Sequence, residues 1–432
     1  MLNNAATTPP FEATVSAVND FLRTYSAYHR GSGPNSEVTC DRVDLAIQSI
    51  HKFVNAGDRV IIFTSNTSMA INYLVRLLRL GEYDFVTKSA QEHTSNNLPW
   101  KMAGREHSRI DFSVSDNGLI DYPGLGLTLG AYQGHGKCVL SLSGASNLTG
   151  YVPDIEAVSH LFHAAINPEE ALLFVDAAQL APHRPIDMDK MGIDALALSG
   201  HKLYAPYGLG VLIVPRWVAE LVPTDPGGGS VDMISGNWED IVWAPAESRH
   251  QIGSYNSVGI VALATSCRVY EEVGWEALVE HEKQLVYRFA QRMLNAGPDY
   301  IWYVPPHLYL GKQAEGDRLG VFPFNLRGYH HAKLAAILQY EFGIETRAGT
   351  ICNHQLVRRW MRIDNQAQQE IVKKIALGDR LASYGVVRAS LGVQNTTDDV
   401  DALFDALDYI IRRGPQLTYR PVPEKETFIP EK

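Results

Sequence analysis

Lys202 is the residue whose setting in this sequence most clearly indicates chemistry. It follows the triplet Ser-Gly-His and precedes the apolar, glycine-containing run LYAPYGLGVLIV, so it lies close to the ends of predicted buried strands. Burial of a lysine favours its neutral amine, because the charged form loses its hydration. A neutral amine forms Schiff bases, and pyridoxal phosphate (PLP) enzymes use this reaction. We therefore expect Schiff-base chemistry at Lys202.

A PLP enzyme needs four groups besides the lysine: an acid on the pyridine nitrogen, a flat group over the ring, donors for the phosphate and an arginine for the substrate carboxylate. Asp176 offers the acid. It ends the apolar run in LLFVDAAQ, and the end of a buried parallel strand points into the crevice where α/β proteins bind ligands. An anionic partner would keep the ring an electron sink. The same residue would equally serve as the N-cap of a following helix.

Three further segments offer the flat group and the polar donors. His93, in QEHTSNNLPW, follows a strand and a loop and could stack on the pyridine, although a lone histidine is usually structural. Thr67 and Ser68 open the first clear helix, where hydroxyl groups and helix-end amides bind anions. Helix capping would explain these two residues equally well. Asn147, in SLSGASNLTG, follows another strand at a depth suited to the ring hydroxyl. Together, and in this order, these weak signals favour a PLP site.

Nine short motifs, found together and in order, resemble those of one protein family. They are LNNAATTPP, EHTSNNLPW, SNLTG, VDAAQ, SGHKLYAPYGLGVL, GGGS, IGSYNSVG, RAGTIC and RASLG. The chain resembles the class V aminotransferases, PLP enzymes of fold type I, and within them the cysteine desulfurases, selenocysteine lyases and related C–S lyases. The resemblance runs from Leu2 to about Ile411. It implies an α/β fold with a mainly parallel seven-stranded sheet in a large domain, and a smaller α/β C-terminal domain.

The resemblance implies a role for each matching residue around the cofactor, PLP. Lys202 would form the Schiff base, with Ser199 and His201 beside it holding the phosphate. Asp176 would pair with the pyridinium nitrogen. Gln179 would bond the ring hydroxyl or the Schiff-base region.

The same resemblance assigns the ring-stacking group and the remaining phosphate ligands. His93 would stack on the ring, and Thr67 and Ser68 would hold the phosphate through hydroxyls and helix-end amides. Ser254, in IGSYN, stands where the family usually has threonine and would reach the phosphate of the neighbouring subunit. A homodimer with shared active sites is implied.

Substrate binding and sulfur chemistry are assigned in the same way. Asn147 and Arg388 would clamp the substrate α-carboxylate, the arginine by a bidentate fork, and Arg347 is a further substrate-binding candidate. In ETRAGTICNHQ, Arg347, Gly349 and Cys352 match the R-x-G-x-x-C stretch that desulfurases carry on a mobile loop. There the thiolate attacks the substrate sulfur and leaves as a persulfide. The alternative for Cys352 is a small buried thiol.

The sequence also departs from the family pattern. Thr94 replaces the second histidine of the usual His-His pair, and Asn66 replaces a glycine before the phosphate-binding hydroxyls. The segment 353–387 is longer than in many relatives and looks more like the sulfurase domain that acts on molybdenum cofactor, or like C–S lyases of thiol metabolism. It would shape a substrate pocket or a sulfur-acceptor dock, or form a solvated helix. The basic residues that could select an acidic substrate arm are Arg358, Arg359, Lys373 and Lys374.

The function predicted from these residues is that of a PLP-dependent, cysteine desulfurase-like enzyme. It would cleave the C–S bond of cysteine or a cysteine derivative, with Lys202 removing the α-proton and Cys352 taking the sulfur. Its partners would be a small amino acid and a sulfur-acceptor protein. Three alternatives stay open: a C–S β-lyase that yields pyruvate, ammonia and a thiol; a class V aminotransferase or epimerase; and a non-catalytic partner protein with a PLP fold.

Apolar periodicity predicts the domain organisation. The strands DRVIIFTS, YDFVTKS, KCVLSLS, ALLFVDAA, IDALALSG and GLGVLIV are separated by helices such as SMAINYLVRLLRL. This pattern is typical of a mostly parallel sheet covered on both faces. We expect a large domain over residues 1–257, whose first residues pack on the small domain, and a small domain over residues 258–415. Residues 416–432, rich in proline and charge, are expected to be a surface arm or disordered.

Composition argues against several classes of protein. The 432 residues carry a formal net charge of −10 without a basic stripe, so neither nucleic acid nor an anionic membrane is an expected partner. No long apolar run and no charged-then-apolar leader is present, which favours a cytoplasmic protein. The four cysteines are widely spaced and form no CxxC pair. Free thiols are therefore expected, with neither disulfides nor a metal.

Overall fold

The computed structural model of the protein describes residues 1–29, 31–81, 84–103, 109–132, 136–236, 240–310 and 316–431. The α-helices are α1 Glu12–Phe21, α2 Pro34–Phe53, α3 Thr67–Leu78, α4 Thr94–Ala103, α5 Tyr122–Gly130, α6 Ile155–Ala165, α7 Arg216–Ala219, α8 Ala246–Arg249, α9 Ser257–Val273, α10 Trp275–Leu294, α11 His331–Phe342, α12 His354–Trp360, α13 Asn365–Ala376 and α14 Thr397–Arg413. The β-strands are β1 Val60–Thr64, β2 Phe85–Ser89, β3 Arg109–Phe112, β4 Cys138–Ser143, β5 Tyr151–Val152, β6 Ala171–Asp176, β7 Ala195–Ser199, β8 Gly210–Val214, β9 Val231–Ile234, β10 Ile241–Trp243, β11 Tyr300–Trp302, β12 Asp317–Arg318, β13 Val321–Leu326, β14 Arg347–Gly349, β15 Val386–Ser390, β16 Tyr419–Val422 and β17 Thr427–Pro430.

A seven-stranded sheet forms the centre of the molecule, in the order β1-β8-β7-β6-β4-β2-β3. Its strands run parallel except β8, which is antiparallel to both of its neighbours, β1 and β7. The predicted mainly parallel α/β sheet is confirmed. Strand β3 was not anticipated, because its residues RIDF alternate charge with apolar side chains too briefly to reveal a strand.

Each central strand is buried on both faces because its alternate residues enter different cores. In β6, Leu173 and Val175 belong to a core that also contains residues of α1, α2 and α9. Leu172 and Phe174 belong to a second core, on the opposite face, together with the apolar side of α3. Burial on both faces explains the continuous apolar runs in the sequence, and it leaves the strand ends as the places for polar groups.

A smaller antiparallel sheet, β11-β13-β15-β14, packs with α10, α11 and α14 around a separate core. Leu2 lies in this core, and Asn3 forms a parallel bridge with Ser390. Helix α9 packs instead in the core of the large sheet, and it ends at Gly274, whose φ of 86° is readily adopted only by glycine. We therefore propose that the change of domain falls at Gly274, after α9, and not at residue 258.

The C-terminal segment is more ordered than its composition suggests. Residues 416–432 were expected to form a surface arm or a disordered tail, but Tyr419–Val422 and Thr427–Pro430 pair as an antiparallel hairpin. The Tyr419 hydroxyl donates to Glu341 Oε1 on α11 at 3.0 Å, and the side chains of Tyr419 and Val422 are buried. Burial of Tyr419 and Val422 therefore orders a segment whose charge and proline content predict disorder.

Within the part of the chain that the structure describes, no helix combines the length and the apolar character needed to cross a bilayer. The same residues contain no cluster of three or more histidine, cysteine, aspartate or glutamate side chains placed to hold a metal ion. All four cysteines are free thiols: Cys138 and Cys267 are buried, Cys40 is half-buried and Cys352 is exposed.

Candidate active site

A cavity of about 380 Å³ lies where the carboxyl ends of β4, β6 and β7 face the small domain. The three strand ends place Ser143, Asp176 and Ser199 in its wall. The candidates from the sequence that line this cavity are Thr67, Ser68, His93, Asn147, Asp176, Gln179, Ser199, His201, Lys202, Arg347, Cys352 and Arg388. Residues up to about 320 positions apart are thus brought together at one edge of the sheet, where parallel α/β folds bind ligands.

Lys202 lies in a short 3-10 turn, Gly200–Lys202, that directly follows β7. Its amine donates to Gln179 Oε1 at 3.5 Å. Burial lowers the pKa of Lys202, and the positive charge of Arg388 acts in the same direction, whereas Asp176 opposes them. The site therefore favours the neutral amine that the sequence analysis anticipated.

Asp176 is 6% exposed and ends β6 beside the cavity. Its Oδ1 accepts a hydrogen bond from the Ala178 amide at 3.0 Å, and burial raises its pKa while Lys202 lowers it. The alternative role of a helix N-cap is wrong, since turns and no helix follow Asp176 in the fully described stretch up to β7. Its second oxygen remains available to a group in the cavity.

The N-terminus of α3 forms one end of the cavity. Asn66 caps this helix by accepting a hydrogen bond from the Met69 amide at 3.0 Å, so the capping role considered for Thr67 and Ser68 belongs to Asn66. Gly210, at the start of β8, lies against the backbone of Asn66: a Cβ at Gly210 would lie 2.3 Å from the Asn66 carbonyl carbon. A glycine at this position therefore allows the loop between β1 and α3 to pack closely against β8.

Four buried polar atoms around the cavity have no hydrogen-bond partner in the described part of the chain. They are Thr67 Oγ1, Gln179 Nε2, Ser199 Oγ and Arg388 Nε. A buried polar group left without a partner costs roughly 1–3 kcal/mol, so such atoms are rare unless a ligand satisfies them. Two hydroxyls near a helix N-terminus suit a phosphate, and the amide and guanidinium suit a polar ring and a carboxylate. The residues present therefore fit PLP with an amino-acid substrate.

His93 immediately precedes α4, and its Nδ1 accepts a hydrogen bond from the Ser95 amide at 3.1 Å. Burial, together with the charges of Lys202 and Arg388, lowers the pKa of His93 to about 3. The imidazole is therefore neutral at physiological pH, with its proton on Nε2. It holds the helix end, as a structural histidine would, and also presents an uncharged ring to the cavity.

The first residues of the chain form part of the wall, although no individual role was predicted for them from the sequence. Ala5, Ala6 and Thr7 line the cavity, and Thr7 Oγ1 lies 3.2 Å from Nδ1 of His201. Burial and Lys202 lower the pKa of His201 to about 4, so this ring is also neutral. The motif LNNAATTPP was the available signal, but motif membership alone does not show which residues face a ligand.

Arg388 and Arg347 face each other across β15 and β14 and both line the cavity. Arg388 is 2% exposed, and its Nη1 donates to the Asn147 carbonyl oxygen at 2.9 Å. Burial, with the neighbouring charge of Arg347, lowers the pKa of Arg388 to about 9. Two guanidinium groups on one face make this end of the cavity suited to a carboxylate.

Cys352 closes the cavity from the small-domain side. Ile351 and Cys352 both have left-handed backbone conformations, with φ of 53° and 57°. The side-chain amide of Asn147 donates to the Ile351 carbonyl at 2.8 Å, so it holds the loop as well as facing the cavity. Cys352 is exposed at the cavity wall, so the alternative of a buried structural thiol is wrong.

Ser254 lies away from the cavity, in a loop before α9. Within one chain it therefore contacts none of the cavity, and any contact with a phosphate would come from a second subunit.

The basic residues of segment 353–387 also lie outside the cavity. Arg358 donates to the Ile363 carbonyl at 2.9 Å, Arg359 pairs with Asp116 at 3.3 Å and Lys373 pairs with Glu370 at 2.7 Å. The structure thus gives α13, which has no buried residue, the form of the solvated helix that the sequence allowed as an alternative.

The fold and this site define a PLP-type α/β enzyme of the class V aminotransferases. The family model "Aminotransferase class-V" matches residues 1–403, and the chain belongs to this family.

Its relatives include a cysteine desulfurase from Klebsiella pneumoniae, 29% identical over 419 residues that cover 95% of this chain and 92% of that protein. A probable cysteine desulfurase from Halobacterium salinarum is 28% identical, with 94% and 90% of the two chains covered. The solved structure of a cysteine desulfurase from Escherichia coli superposes with a TM-score of 0.76 at 25% identity, covering 95% of this chain and 94% of that one. One from Thermococcus onnurineus, at 24% identity, has a TM-score of 0.78 and the same coverage.

Proposed function

We propose that the protein is a PLP-dependent cysteine desulfurase, which converts cysteine to alanine and transfers the sulfur to Cys352. The observation that carries this proposal is the shared cavity: Lys202 and Asp176 line one side, and the accessible thiol of Cys352 lies in the opposing loop. The relatives named as cysteine desulfurases, which match nearly the whole chain, support it. A transaminase or epimerase would make no use of the thiol.

The residues of this chain that would hold PLP follow from the unsatisfied atoms. Thr67 and Ser199, with Ser68 and the amides that begin α3, would bind the phosphate, and Asp176 would face the pyridine nitrogen. Gln179 would donate to a ring substituent through its unpartnered Nε2. When bound, PLP supplies an electron sink that makes the substrate α-proton removable and the C–S bond cleavable.

Arg388 and Arg347 bind the substrate carboxylate and so orient the α-carbon toward Lys202. The neutral amine of Lys202 accepts the α-proton and later returns a proton to the product. The thiolate of Cys352 attacks the substrate sulfur, the carbon–sulfur bond breaks, and a persulfide remains on Cys352 while alanine leaves. Cys352 lies close enough to Lys202 and Arg388 for its charge to raise the pKa of both groups.

A homodimer is part of this proposal, as is a cytoplasmic location. Ser254 is remote from the cavity of its own chain and would complete the site of a second subunit. The hairpin β9–β10 exposes Met233 and Val242, which are apolar side chains that a second copy would cover. All four cysteines are free thiols, which supports a location in a reducing compartment such as the cytoplasm.

The test combines two substitutions with product analysis. Purified protein should carry the visible absorption band of a PLP–lysine Schiff base, and Lys202→Ala should abolish that band. With L-cysteine as substrate and a reducing thiol present to release the persulfide sulfur as sulfide, Cys352→Ala should lose alanine and sulfide formation by at least about a hundredfold, since its nucleophile is gone. Cys352→Ala protein that still releases pyruvate, ammonia and sulfide at the wild-type rate would instead establish a C–S β-lyase.

A further inference from the structure

Two serines meet between the first turns of helices α3 and α4. Ser68 is the second residue of α3 and Ser95 is the second residue of α4, and their Oγ atoms lie 2.6 Å apart, with either oxygen able to be the donor. Both serines are half-buried, and both line the proposed PLP cavity. The hydroxyl of Ser95 thus reaches a residue that the proposed function assigns to the phosphate, although no role was predicted for Ser95 from the sequence.

The position of Ser95 is fixed by its own helix. The next residue, Asn96, is fully buried, and its side chain donates to Glu92 Oε2 at 2.8 Å and accepts from the indole nitrogen of Trp100 at 3.0 Å. Trp100 is itself buried in the core that contains the apolar side of α3. These buried contacts hold the first turn of α4 against α3 without the Ser95 hydroxyl, so removal of that hydroxyl should leave both helices in place.

The backbone and the side chain of Ser95 make different contacts. Its amide donates to Nδ1 of His93 at 3.1 Å and so fixes the orientation of that ring. Its hydroxyl bonds to the hydroxyl of Ser68. An alanine at position 95 would keep the amide and its bond to His93, and it would remove the contact with Ser68.

The phosphate-binding end of the cavity determines which serine donates. Thr67 Oγ1 and Ser199 Oγ line the same cavity and are buried without a hydrogen-bond partner in the described part of the chain, as expected where an acceptor binds. A phosphate dianion offers only acceptor oxygens, and a serine hydroxyl has one proton to donate. If Ser68 gives its proton to a phosphate, its oxygen can only accept from Ser95.

We propose that Ser95 is a positioning residue for the cofactor phosphate: it donates to Ser68 Oγ, and Ser68 in turn donates to the phosphate. The inference rests on the proposed function, because PLP is the ligand whose phosphate Ser68 would bind. The bond from Ser95 directs the single Ser68 proton to the phosphate and polarises the Ser68 hydroxyl, which strengthens the second hydrogen bond. Ser95 therefore raises the affinity for PLP through Ser68.

PLP and pyridoxal provide a matched test of this relay. Pyridoxal can form the same Schiff base with Lys202, but it has a hydroxyl in place of the phosphate. The full-length protein, freed of cofactor, is titrated with each compound, and binding is followed by the visible band of the Schiff base. The variants are Ser95→Ala, Ser68→Ala and the protein with both substitutions. Ser113→Ala is the control, because the Ser113 hydroxyl bonds to Asp121 at 2.9 Å and does not line the cavity.

Ser95→Ala should raise the dissociation constant for PLP by about three- to tenfold, as expected for the loss of one hydrogen bond, and that for pyridoxal by less than about twofold. Ser68→Ala should raise the dissociation constant for PLP by about tenfold or more. In the Ser68→Ala protein, the further change Ser95→Ala should alter PLP binding by less than about twofold, because the contact through which Ser95 acts is gone. Ser113→Ala should leave both dissociation constants unchanged.

An unchanged affinity for PLP in Ser95→Ala would overturn the proposal, and so would equal losses for PLP and pyridoxal, which would indicate a general disturbance of the site. A loss that persists in full in the Ser68→Ala protein would also overturn it and would make Ser95 a direct phosphate ligand. Failure of the proposed function gives a different result: the wild-type protein would form no Schiff-base band, or would form the band and yield no alanine from L-cysteine.

Discussion

Arg388 is the clearest case of a residue whose burial makes sense only with a ligand. It is a guanidinium at 2% exposure with no carboxylate partner, and its Nε has no acceptor in the described chain. A buried charge without a counter-ion is strongly unfavourable, and burial indeed lowers its pKa to about 9. A bound carboxylate would supply the missing charge and acceptors. A substrate carboxylate bound to Arg388 would therefore offset the free-energy cost of burying the guanidinium.

Arg388→Lys should raise the KM for L-cysteine by about tenfold or more, because an ammonium group cannot form the bidentate contact of a guanidinium. The value of kcat should change less, since Lys202 and Cys352 are untouched. Steady-state kinetics with L-cysteine and with its methyl ester provide the measurement and the control. The ester lacks the anionic carboxylate, and an equally large loss with the ester would contradict the assigned role.

At the scale of single residues, the active-site cavity also contains two neutral histidines. His93 and His201 both lie beside Lys202, and burial with its charge lowers their pKa values to about 3 and about 4. Neither ring therefore changes charge between pH 6 and 8. We infer that a change of activity in that range does not arise from titration of these two rings.

At the scale of the elements, the N-terminus of α4 acts as the support of the Cys352 loop. The first amide of a helix has no partner inside the helix, and here Thr94 uses it, together with its hydroxyl, to hold the Cys352 carbonyl. Thr94 stands where the family pattern has a second histidine. The residue that replaces this histidine, Thr94, therefore forms a contact between the large domain and the loop that carries Cys352.

Thr94→Val should slow formation of the Cys352 persulfide by about two- to tenfold, because it removes one of the two hydrogen bonds to the loop and keeps the shape of the side chain. Thr94→Ser, which retains the hydroxyl, should restore the rate. A rapid-mixing measurement of alanine formation in a single turnover gives this rate directly. Identical rates for the valine and serine variants would show that the hydroxyl does not position Cys352.

At the scale of the whole molecule, a buried charge network joins the two domains. Glu282, on α10, accepts hydrogen bonds from Arg184 and, at 2.9 Å, from the Gly320 amide, and it pairs with His183 at 2.8 Å. Arg184 also binds Asp317 through two nitrogens. Burial raises the pKa of Glu282, but His183 and Arg184 outweigh this effect and lower it to about 2.

Glu282→Gln should lower the free energy of unfolding by about 3 kcal/mol at pH 7, since it leaves part of a buried ion pair unmatched. The folded-state pKa is lower than that of an unfolded glutamate, so this stabilisation is present above about pH 5 and is lost as the pH falls toward 2. The difference in thermal stability between wild type and variant should therefore shrink in acid.

Glu370→Gln is the matched control, because Glu370 forms an exposed ion pair on α13. It should leave the melting temperature unchanged across the same pH range, as surface pairs contribute little. A Glu282 variant that melts with wild type at pH 7 would show that the network does not couple the domains.

Much of this molecule follows from the sequence alone. Continuous apolar runs such as ALLFVD are typical of strands buried on both faces, and their alternation with helices predicts the fold class before any contact is known. Polar residues placed directly after such runs, Asp176 and Ser199 among them, must then meet at one edge of the sheet. This is why most of the residues that line the cavity were predictable from motif and position.

Other features were decided by the tertiary structure. The C-terminal hairpin gains its order from contacts of Tyr419 with α11, about 80 positions earlier in the chain, which composition does not register. The position of the Cys352 loop and the two hydrogen bonds by which Thr94 holds it depend on contact between the two domains. Sequence periodicity reports how a residue is buried within its own element, whereas contacts between distant elements depend on how complete surfaces fit, and no local pattern encodes that fit.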